Sequence, residues 1–421
     1  MKMLKMKVLI NVGGKGTRMG DLTKEIPKAL ILVNRKSILE HQILELKKYG
    51  LSDIILATGF LSDKIEEYFG DGSKFGVSII YSKEEQPLGT AGTIKLAEKY
   101  LGDEFMVLQG DIFINFDIKR FIDFHKKKDG IATIFVHKSD HPYDSDMIQL
   151  DSNSKIEKVF RVKIGENFVN LTNAGVFIFN KRVLEYIPKG FFIIEKDLYP
   201  VLLENNEKIY SYHTEEFVKD MGTLERLKEI GDYLKRPGAI FFDRDGVINE
   251  DMEEQVYKIE DFKFIPNSIN GLKLLNNKKL FVVTNQGKIG IGICKEKDVE
   301  KLHKHMIKEL KKENVVLDGI YYCPHHSTKG IDKYKLECDC RKPKSGMLLK
   351  AAEEHKINLG KSWMVGDKRS DIKTGKNVGC KTILVRTGYG GKGGNTDFDV
   401  EADFVVDDLY EAAKLILREN G

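Results

Sequence analysis

Cysteine and histidine residues cluster between positions 323 and 340 with the spacing of a metal clip. Cys323-Pro324-His325 is followed, twelve residues later, by Cys338-Asp339-Cys340. Three thiolates and one imidazole suit tetrahedral Zn²⁺, and a full set of four protein ligands leaves no open position for catalysis. His326 is a competing imidazole, but the spacing favours His325. We therefore predict a structural zinc ion held by Cys323, His325, Cys338 and Cys340.

A glycine-rich loop follows the first apolar run of the chain. The run Lys7–Val12 leads directly into Gly13-Gly14-Lys15-Gly16-Thr17-Arg18. Glycines let backbone N–H groups approach an oxyanion without interference from a Cβ atom, and Arg18 adds positive charge. The loop lacks the third glycine of a dinucleotide fingerprint, because Met19 stands there, and it lacks the Lys-Ser/Thr ending of a P-loop. Taken alone, these residues fit a phosphate cradle and a plain tight turn equally well.

Acidic, hydroxyl and cationic residues follow apolar runs in the second half. Asp243 and Asp245 come directly after one such run, and Gly246 permits the chain to bend so that both carboxylates converge. Ligands of open α/β sheets bind at the carboxyl ends of strands, where these residues are predicted to lie. Other polar residues of these segments are Thr284, Asn285, Arg341, Lys342, Asp367 and Lys368.

Short apolar runs alternate with amphipathic stretches from end to end, which indicates α/β layering with a mainly parallel sheet. A helix is predicted after Ser37, which forms a capping box with Glu40, and the longest helix is predicted from about Lys295 to Glu313. The glycine-rich stretch Gly388–Gly394 is predicted to be a mobile surface loop. The strand candidates of the first half are Lys7–Val12, Ile54–Ala57, Val77–Ile80, Phe105–Gln109, Ile131–Val136 and Gly175–Phe179. Those of the second half are Ala239–Phe242, Leu280–Thr284, Ile320–Tyr322, Trp363–Val365 and Thr382–Val385.

Length and charge bound the organisation of the chain. Its 421 residues exceed the usual size of one hydrophobic core, and Pro237-Gly238 separates the two series of elements. We therefore predict two doubly wound, mainly parallel-sheet domains, residues 1–236 and 237–421. The net charge of +4, from 68 basic and 64 acidic residues mixed along the chain, favours neither nucleic acid nor a membrane as partner. No apolar run suits a signal peptide or membrane span, so we expect a cytoplasmic protein; a homo-oligomer is left open.

Six further motifs follow the glycine loop in the first half. They are Ile26-Pro27-Lys28-Ala29-Leu30, Pro87-Leu88-Gly89-Thr90-Ala91-Gly92, Leu108-Gln109-Gly110-Asp111, Asn173-Ala174-Gly175, Glu195-Lys196-Asp197 and Asp220-Met221-Gly222-Thr223. In this order, over about residues 7–230, the series resembles the sugar-1-phosphate nucleotidyltransferases. The resemblance implies a Rossmann-type fold and in-line attack by a sugar-phosphate oxygen on the α-phosphorus of a nucleoside triphosphate, with release of pyrophosphate.

The same resemblance assigns roles to residues of this half. It implies a triphosphate-binding loop of Gly13, Gly14, Gly16, Thr17 and Arg18, with Lys28 at the phosphate under attack. It implies Mg²⁺ on Asp111 and Asp220, a nucleobase against Gly89 and Gly92, a sugar on Asn173, Gly175 and Glu195, and a sugar phosphate on Lys163. Arg18 and Lys28 would be the catalytic cations. Without the resemblance, Asp111 could cap a turn, Glu195 could be a surface carboxylate and Asp220 could cap a helix.

The second half resembles haloacid-dehalogenase-type phosphatases, which are also Rossmann-type. The resemblance rests on Asp243-Arg244-Asp245-Gly246-Val247, Thr284-Asn285-Gln286, Arg341-Lys342 and Gly366-Asp367-Lys368-Arg369-Ser370-Asp371. It implies that Asp243 is the nucleophile and that Asp245 is the general acid and base. It further implies Mg²⁺ on Asp243, Asp367 and the backbone carbonyl of Asp245, with phosphoryl oxygens on Thr284 and Lys342. Asn285, Arg341 and Lys368 would complete the sugar-phosphate site.

The motif Asp-Arg-Asp-Gly-Val together with the zinc loop resembles the D-glycero-D-manno-heptose 1,7-bisphosphate 7-phosphatases. Their product, heptose 1-phosphate, is a substrate for a nucleotidyltransferase, so the fusion indicates consecutive steps toward an NDP-heptose. Analogy with heptose pathways favours GTP, with ATP second. One alternative is a phosphatase for another substrate, such as histidinol phosphate. The other is a degenerate nucleotide-sensing first half, prompted by Val162 and Asp21, where the family has Glu and Pro.

Overall fold

The computed structural model describes residues 6–14, 16, 19, 22–139, 141–163, 165–251, 256–392 and 398–419. The chain divides into two compact units, Met1–Leu234 and Lys235–Gly421. Within the described ranges, no helix combines the length and the apolar character that a bilayer crossing needs. Thr17 and Arg18, expected in the triphosphate-binding loop, lie outside the described residues.

The first unit contains a mixed sheet and a separate two-stranded ribbon. Its strands are β1 (Lys7–Asn11), β2 (Leu32–Val33), β3 (Lys36–Ser37), β4 (Asp53–Thr58), β5 (Ser78–Lys83), β6 (Glu104–Gln109), β7 (Ile112–Asn115), β8 (Ala132–His137), β9 (Met147–Leu150), β10 (Ile156–Phe160), β11 (Thr172–Asn180), β12 (Ile209–His213) and β13 (Phe217–Asp220). Its helices are α1 (Leu22–Glu25), α2 (Ile38–Lys48), α3 (Ser62–Phe69), α4 (Gly89–Leu96), α5 (Ile118–Lys128), α6 (Tyr199–Glu204) and α7 (Leu224–Lys235).

The centre of this sheet is parallel. Strand β1 lies between β4 and β6 and runs parallel to both, whereas β11 runs antiparallel to β6 and β8. Along β1, Val8 and Ile10 enter one hydrophobic core and Leu9 enters the core on the opposite face. A strand buried on both faces must be apolar throughout, which explains why its sequence is a continuous apolar run. Strands β7 and β13 form the separate antiparallel ribbon.

The second unit has a six-stranded sheet in the order β16-β15-β14-β17-β18-β19, and every recorded strand pair in it is parallel. Its strands are β14 (Ala239–Phe242), β15 (Lys279–Asn285), β16 (Gly319–Cys323), β17 (Trp363–Gly366), β18 (Lys381–Val385) and β19 (Phe404–Val406). Its helices are α8 (Ser268–Leu274), α9 (Gly287–Gly290), α10 (Glu296–Lys312), α11 (Gly346–Glu354), α12 (Arg369–Lys376) and α13 (Leu409–Glu419).

The predicted strands all coincide with observed ones, and the α/β class is confirmed. Ser37 caps α2, because its Oγ accepts a hydrogen bond from the backbone N–H of Glu40 at 3.1 Å. The long helix predicted near Lys295 is α10. Sequence patterns missed the shorter strands, including the β7–β13 ribbon, and that ribbon positions an essential part of the candidate site described below.

Candidate active sites

A cavity of about 820 Å³ lies in the first unit where β1 and β6 end. The loop after β1 forms one wall and the start of α4 forms another. Predicted site residues that line it are Gly13, Gly14, Gly16, Lys28, Gly89 and Asp111. The structure therefore gathers the glycine loop, one predicted catalytic cation and one predicted metal ligand around a single cavity.

Asp111 and Asp220, expected to share a metal ion, lie on neighbouring strands. Asp111 immediately precedes β7, and Asp220, at the end of β13, pairs in register with Ile112. The backbone N–H of Met221 donates to the carbonyl of Asp111 at 2.8 Å. Asp220 is not the cap of α7: the N–H of Arg226 bonds to Thr223 Oγ1 instead, at 3.3 Å.

Each of the two carboxylates forms an ion pair with a cationic side chain. Lys28 Nζ pairs with Asp111, and Arg226 Nη1 lies 2.5 Å and 2.6 Å from the two carboxylate oxygens of Asp220. The side chains of Asp111 and Asp220 are 32% and 38% exposed. Carboxylate oxygens on adjacent strands are the donors that Mg²⁺ prefers, and such a site can be completed by phosphate oxygens and water. The donor set therefore fits a magnesium ion.

The two glycines expected against a nucleobase have different surroundings. Gly89, with φ of +73°, lines the cavity, and a Cβ atom there would lie 2.6 Å from the carbonyl oxygen of Phe192. Gly92 is buried against the backbone of Gly190 and does not line the cavity. Its missing side chain allows α4 to pack closely on the 190–192 segment, and its expected contact with a nucleobase stays a prediction.

The residues expected to hold a sugar form one hydrogen-bonded group. Asn173 Nδ2 donates to Glu195 Oε1 at 2.8 Å, and the N–H of Gly175 donates to Asn173 Oδ1 at 2.8 Å. Glu195 lies in a π-helical turn, Ile194–Leu198, and burial raises the pKa of its carboxyl above the ordinary value. This carboxyl is consequently a partly buried, amide-supported acceptor that suits a sugar hydroxyl.

Lys163 does not join that group among the described contacts. Its side chain is exposed, and its recorded hydrogen bond is from the backbone N–H to Glu166 Oε2 at 3.0 Å. The structure thus leaves the expected sugar-phosphate contact of Lys163 without a supporting neighbour. The nearby cation Arg161 pairs with Asp146 at 2.5 Å instead.

Sequence reasoning missed several residues that line the first cavity. Glu84 Oε2 accepts the N–H of Leu88 at 3.0 Å, and burial raises the pKa of Glu84. Gln86 and Phe191 also line the cavity. Glu84 and Gln86 directly precede the motif that begins at Pro87, so adjacency to a recognised motif was the available signal.

The second unit brings its acidic residues to the carboxyl edge of the parallel sheet. Asp243 follows β14 and Asp367 follows β17, and these strands are neighbours, since the N–H of Asp243 donates to the carbonyl of Val365 at 2.9 Å. Asp371, on α12, joins them: carboxylate oxygens of Asp243, Asp367 and Asp371 all lie within 4.8 Å of one another. Asp371 was not among the predicted ligands, because its position depends on how α12 turns back over the strand ends.

A buried lysine neutralises part of this cluster. Lys342 Nζ lies 2.9 Å from Asp243 and 2.6 Å from Asp371, and its side chain is 2% exposed. Burial raises the pKa of Asp243 to about 6, with Lys342 opposing the shift. Burial likewise raises the pKa of Asp367 to about 8. Three buried carboxyl groups beside one lysine leave negative charge that a further cation would balance.

The carboxylate of Asp245 is held in a separate polar network. Arg244, which is fully buried, donates to it through Nε at 3.1 Å and Nη2 at 2.9 Å, and Asn249 and Gln286 each donate at 2.9 Å. Burial acts to raise the pKa of Asp245, but Arg244 and these hydrogen bonds lower it below the ordinary value. Arg244 and Gln286 were missed as supporting residues, although both stand inside recognised motifs.

A cavity of about 710 Å³ opens over these acids. Asn285 and Lys342, which both line it, form two hydrogen bonds with one another. Asn285 Nδ2 donates to the Lys342 carbonyl at 3.1 Å, and the Lys342 N–H donates to Asn285 Oδ1 at 3.0 Å. Lys368 Nζ lies 3.2 Å from Asp251. Predicted residues that line the cavity are Asp243, Asp245, Thr284, Asn285, Arg341, Lys342 and Lys368.

The glycine-rich stretch after β18 is part of this site. The N–H of Tyr389 donates to Asp367 Oδ2 at 2.8 Å, and the N–H of Gly391 donates to the Asp367 carbonyl at 2.7 Å. The expectation of a mobile surface loop for Gly388–Gly394 is therefore corrected for 388–392; Gly393 and Gly394 lie outside the described residues. The N–H of Tyr389 therefore orients the Asp367 carboxylate, and the N–H of Gly391 holds the backbone of Asp367.

Both expected metal ions of the second unit suit the residues present. Asp367 Oδ1 is buried and accepts no hydrogen bond from the described residues, as expected of an oxygen that is free to bind Mg²⁺. Cys323 Sγ lies 3.5 Å from Cys338 Sγ, and Cys340 Sγ lies 3.2 Å from Cys338 Sγ. His325 Nδ1 completes the set at 3.3 Å from Cys340 Sγ, whereas the Nδ1 of His326 accepts the N–H of Lys329. Three sulfurs and one nitrogen at these separations can surround one tetrahedral Zn²⁺.

The Nucleotidyl transferase family matches residues 7–236, and the HAD-hydrolase-like family matches residues 339–412. The D-glycero-beta-D-manno-heptose-1,7-bisphosphate 7-phosphatase of Haemophilus influenzae is 44% identical over 185 residues, 43% of this chain and 97% of that protein. The mannose-1-phosphate guanyltransferase of Debaryomyces hansenii is 38% identical over 226 residues. The matched region is 52% of this chain and 61% of that relative. The structure of HddC from Yersinia pseudotuberculosis aligns with a TM-score of 0.49 and 25% identity, covering 55% of this chain and 100% of that one.

Fold and sites together define a two-unit α/β enzyme with a phosphate-handling site in each unit. The chain belongs to the Nucleotidyl transferase family through residues 7–236, and its second unit belongs with the HAD-like phosphatases. Enzymatic activity in both units follows from these memberships. Enzymes of both kinds generally use Mg²⁺, and the four Cys and His side chains could hold zinc.

Proposed function

We propose that the protein is a bifunctional enzyme of NDP-heptose synthesis. Residues 237–421 would hydrolyse the 7-phosphate of D-glycero-D-manno-heptose 1,7-bisphosphate. Residues 1–236 would transfer a nucleotidyl group, GMP in preference to AMP, from a nucleoside triphosphate to heptose 1-phosphate. The product of the first reaction is the acceptor of the second, which gives a reason for one chain to contain both units.

One observation carries this proposal. The second unit is 44% identical to a heptose bisphosphate phosphatase over 97% of that protein, and it shares a chain with a unit that resembles guanyltransferases. The site agrees with such a substrate, because its cavity of about 710 Å³ is lined by cations beyond those that contact Asp243. A bisphosphate needs cations for the phosphate that is not being cleaved as well as for the one that is.

In the phosphatase reaction, a carboxylate oxygen of Asp243 forms the new bond to phosphorus and the bond from phosphorus to the sugar oxygen breaks. Because Arg244 lowers the pKa of Asp245 in the ligand-free site, Asp245 would first take up a proton as the substrate phosphate binds. It would then give that proton to the departing sugar oxygen and take one from the water that hydrolyses the aspartyl phosphate. Lys342 and Thr284 bind the phosphoryl oxygens. Asp243 and Asp367, with the neighbouring Asp371, would hold Mg²⁺, which would supply charge neutralisation.

In the nucleotidyl transfer, the phosphate oxygen of the sugar attacks the α-phosphorus, and pyrophosphate departs with the electrons of the broken bond. The glycine loop and Lys28 neutralise the phosphates, so positioning and electrostatics provide the rate enhancement. Asp111 and Asp220 would hold Mg²⁺, which would add positive charge at the triphosphate. Glu195 accepts hydrogen bonds from sugar hydroxyls, and Asn173 donates hydrogen bonds to them.

The decisive experiment supplies purified protein with heptose 1,7-bisphosphate, Mg²⁺ and each nucleoside triphosphate in turn, and identifies products by mass. We expect inorganic phosphate, pyrophosphate and GDP-heptose. Preferred hydrolysis of histidinol phosphate would reject the sugar assignment. Absence of metal-dependent pyrophosphate release with every sugar 1-phosphate, while nucleotide still binds, would support a sensing role for the first unit.

A further inference from the structure

Arg226 occupies an unusual position for a cation. It lies in the first turn of α7, which begins at Leu224, and the positive end of the helix dipole disfavours a cation there. Its guanidinium nonetheless turns back onto Asp220, with Nη1 at 2.5 Å and 2.6 Å from the two oxygens. The side chain of Arg226 is 18% exposed and that of Asp220 is 38% exposed, so the pair lies at the surface of the site where a ligand can reach it.

The carboxylate of Asp220 is fully engaged by this arrangement. Besides Arg226, the N–H of Gly222 donates to Asp220 Oδ1 at 2.9 Å. Asp111, the neighbouring carboxylate, pairs with Lys28 in the same way. Among the described residues, these two acids are therefore matched by two cations before any ligand enters.

A divalent cation that arrives alone must compete with both side-chain cations. Arg226 would have to leave Asp220, or share it against strong repulsion at short range. A nucleoside triphosphate changes this balance, because its phosphate oxygens offer the displaced guanidinium a new partner with matching geometry. Metal and nucleotide should therefore favour one another's binding, and by linkage the effect is reciprocal.

We infer that Arg226 is a positioning residue that occupies Asp220 while the nucleotide is absent and so makes metal binding depend on the triphosphate. The inference deepens the proposed nucleotidyl transfer, on which it rests for the identity of the ligand. Arg226 lies outside the recognised motifs, and its role follows from its contact with Asp220 in the ligand-free site.

The test measures binding rather than turnover, in the full chain. All variants carry Asp367→Asn, which disables the metal site of the second unit, and are loaded with Zn²⁺ beforehand. Calorimetric titration with Mn²⁺ alone should give a dissociation constant roughly tenfold lower for Arg226→Ala than for its parent, because the competing cation is gone. The factor by which excess Mn²⁺ tightens GTP binding should fall about fivefold in the same variant.

Two further variants complete the design. Lys228→Ala removes an exposed cation from the same helix and should change either quantity by less than about twofold. Arg226→Lys keeps the charge and should remain closer to the parent than Arg226→Ala does. Circular dichroism confirms that each variant is folded. If Arg226→Ala does not fold, the Mn²⁺ dissociation constant and its coupling to GTP binding are compared between Arg226→Lys and the parent instead.

Unchanged or weaker Mn²⁺ binding in Arg226→Ala, or an unchanged coupling between Mn²⁺ and GTP, would overturn the inference. Product analysis with the unmodified chain is separate from these titrations. If that chain made no NDP-heptose but the titrations behaved as described, the proposed function would fail while the role of Arg226 remained.

Discussion

The two sites of this chain hold their acids in opposite ways. In the second unit the side chains of Asp243 and Asp371 are 6% and 0% exposed, and Lys342 between them is 2% exposed. In the first unit the side chains of Asp111 and Asp220 are 32% and 38% exposed. A buried acid cluster is held by its neighbours before substrate arrives, whereas a half-exposed pair can exchange its partners.

This difference suits two different reactions. A covalent nucleophile must be held in one geometry and shielded from water, which a parallel sheet edge covered by helix and loop provides. A nucleotidyl transfer involves no covalent enzyme intermediate in the proposed scheme, so its site needs movable charges that follow the phosphates. The comparison therefore separates a preformed site from one that its ligand completes.

Replacing the proposed nucleophile should produce the largest difference between the two activities. Asp243→Asn removes the attacking oxygen, so phosphate release from the bisphosphate should fall by at least about 1,000-fold. Nucleotidyl transfer to sugar 1-phosphate, measured as pyrophosphate release, should stay within about twofold, because the two sites are built from different units.

Asp111→Asn provides the reciprocal control. Pyrophosphate release should fall by about 100-fold or more, with hydrolysis unaffected. Loss of both activities in either single variant would contradict the independence of the two sites.

Removing one zinc ligand should have an intermediate effect. The Arg341 guanidinium donates through Nη1 to the carbonyl of His325 at 2.9 Å, and Arg341 directly follows Cys340, so the metal clip orients the cations of the cavity. Cys340→Ser should lower the zinc content measured by mass spectrometry and reduce phosphatase activity by about 10-fold to 100-fold.

Cys294→Ser is the matched control, since Cys294 is a buried thiol outside the metal cluster. It should keep its zinc and most of its activity. Equal zinc content in Cys340→Ser and Cys294→Ser would refute the zinc assignment.

The smallest expected effect concerns the free energy of unfolding of the first unit. This unit buries the carboxyl of Glu216, in contrast to the exposed carboxylates of its site. Glu216 accepts hydrogen bonds from the N–H of Asp117 and the hydroxyl of Thr214, each at 2.8 Å, and burial raises its pKa to about 7. Between the unfolded pKa near about 4.3 and the folded value, the folded state binds more protons. Stability therefore falls as pH rises through this window and reaches its low plateau above about pH 7.

Glu216→Gln should remove this pH dependence and gain on the order of 2 kcal/mol at about pH 8, relative to the parent, with little change near pH 5. Urea unfolding followed by circular dichroism measures it, while fluorescence of the sole tryptophan, Trp363, reports the second unit separately. The exposed carboxylate variant Glu225→Gln should leave the slope intact. A parent whose first unit gains stability as pH rises from 5 to 7 would contradict the sign.

Sequence reasoning reached most of the second site because its residues follow strands directly. Asp243 and Asp367 end up together since neighbouring parallel strands deliver their carboxyl ends to one edge. It reached less of the first site. Among the described residues, the recorded contact of Lys163 is from its backbone to Glu166, and Gly92 packs against the backbone of Gly190, so the roles predicted for both rest on motifs.

The sequence by itself determined the elements: buried strands are apolar on both faces, glycine loops follow them, and four Cys and His residues have the spacing of a metal site. Only the tertiary structure decided which charges meet. Asp371 joins Asp243, and Arg226 covers Asp220, through the turn of one helix and the register of a short antiparallel ribbon. Such contacts depend on distances between segments remote in the chain, which local pattern and composition do not encode.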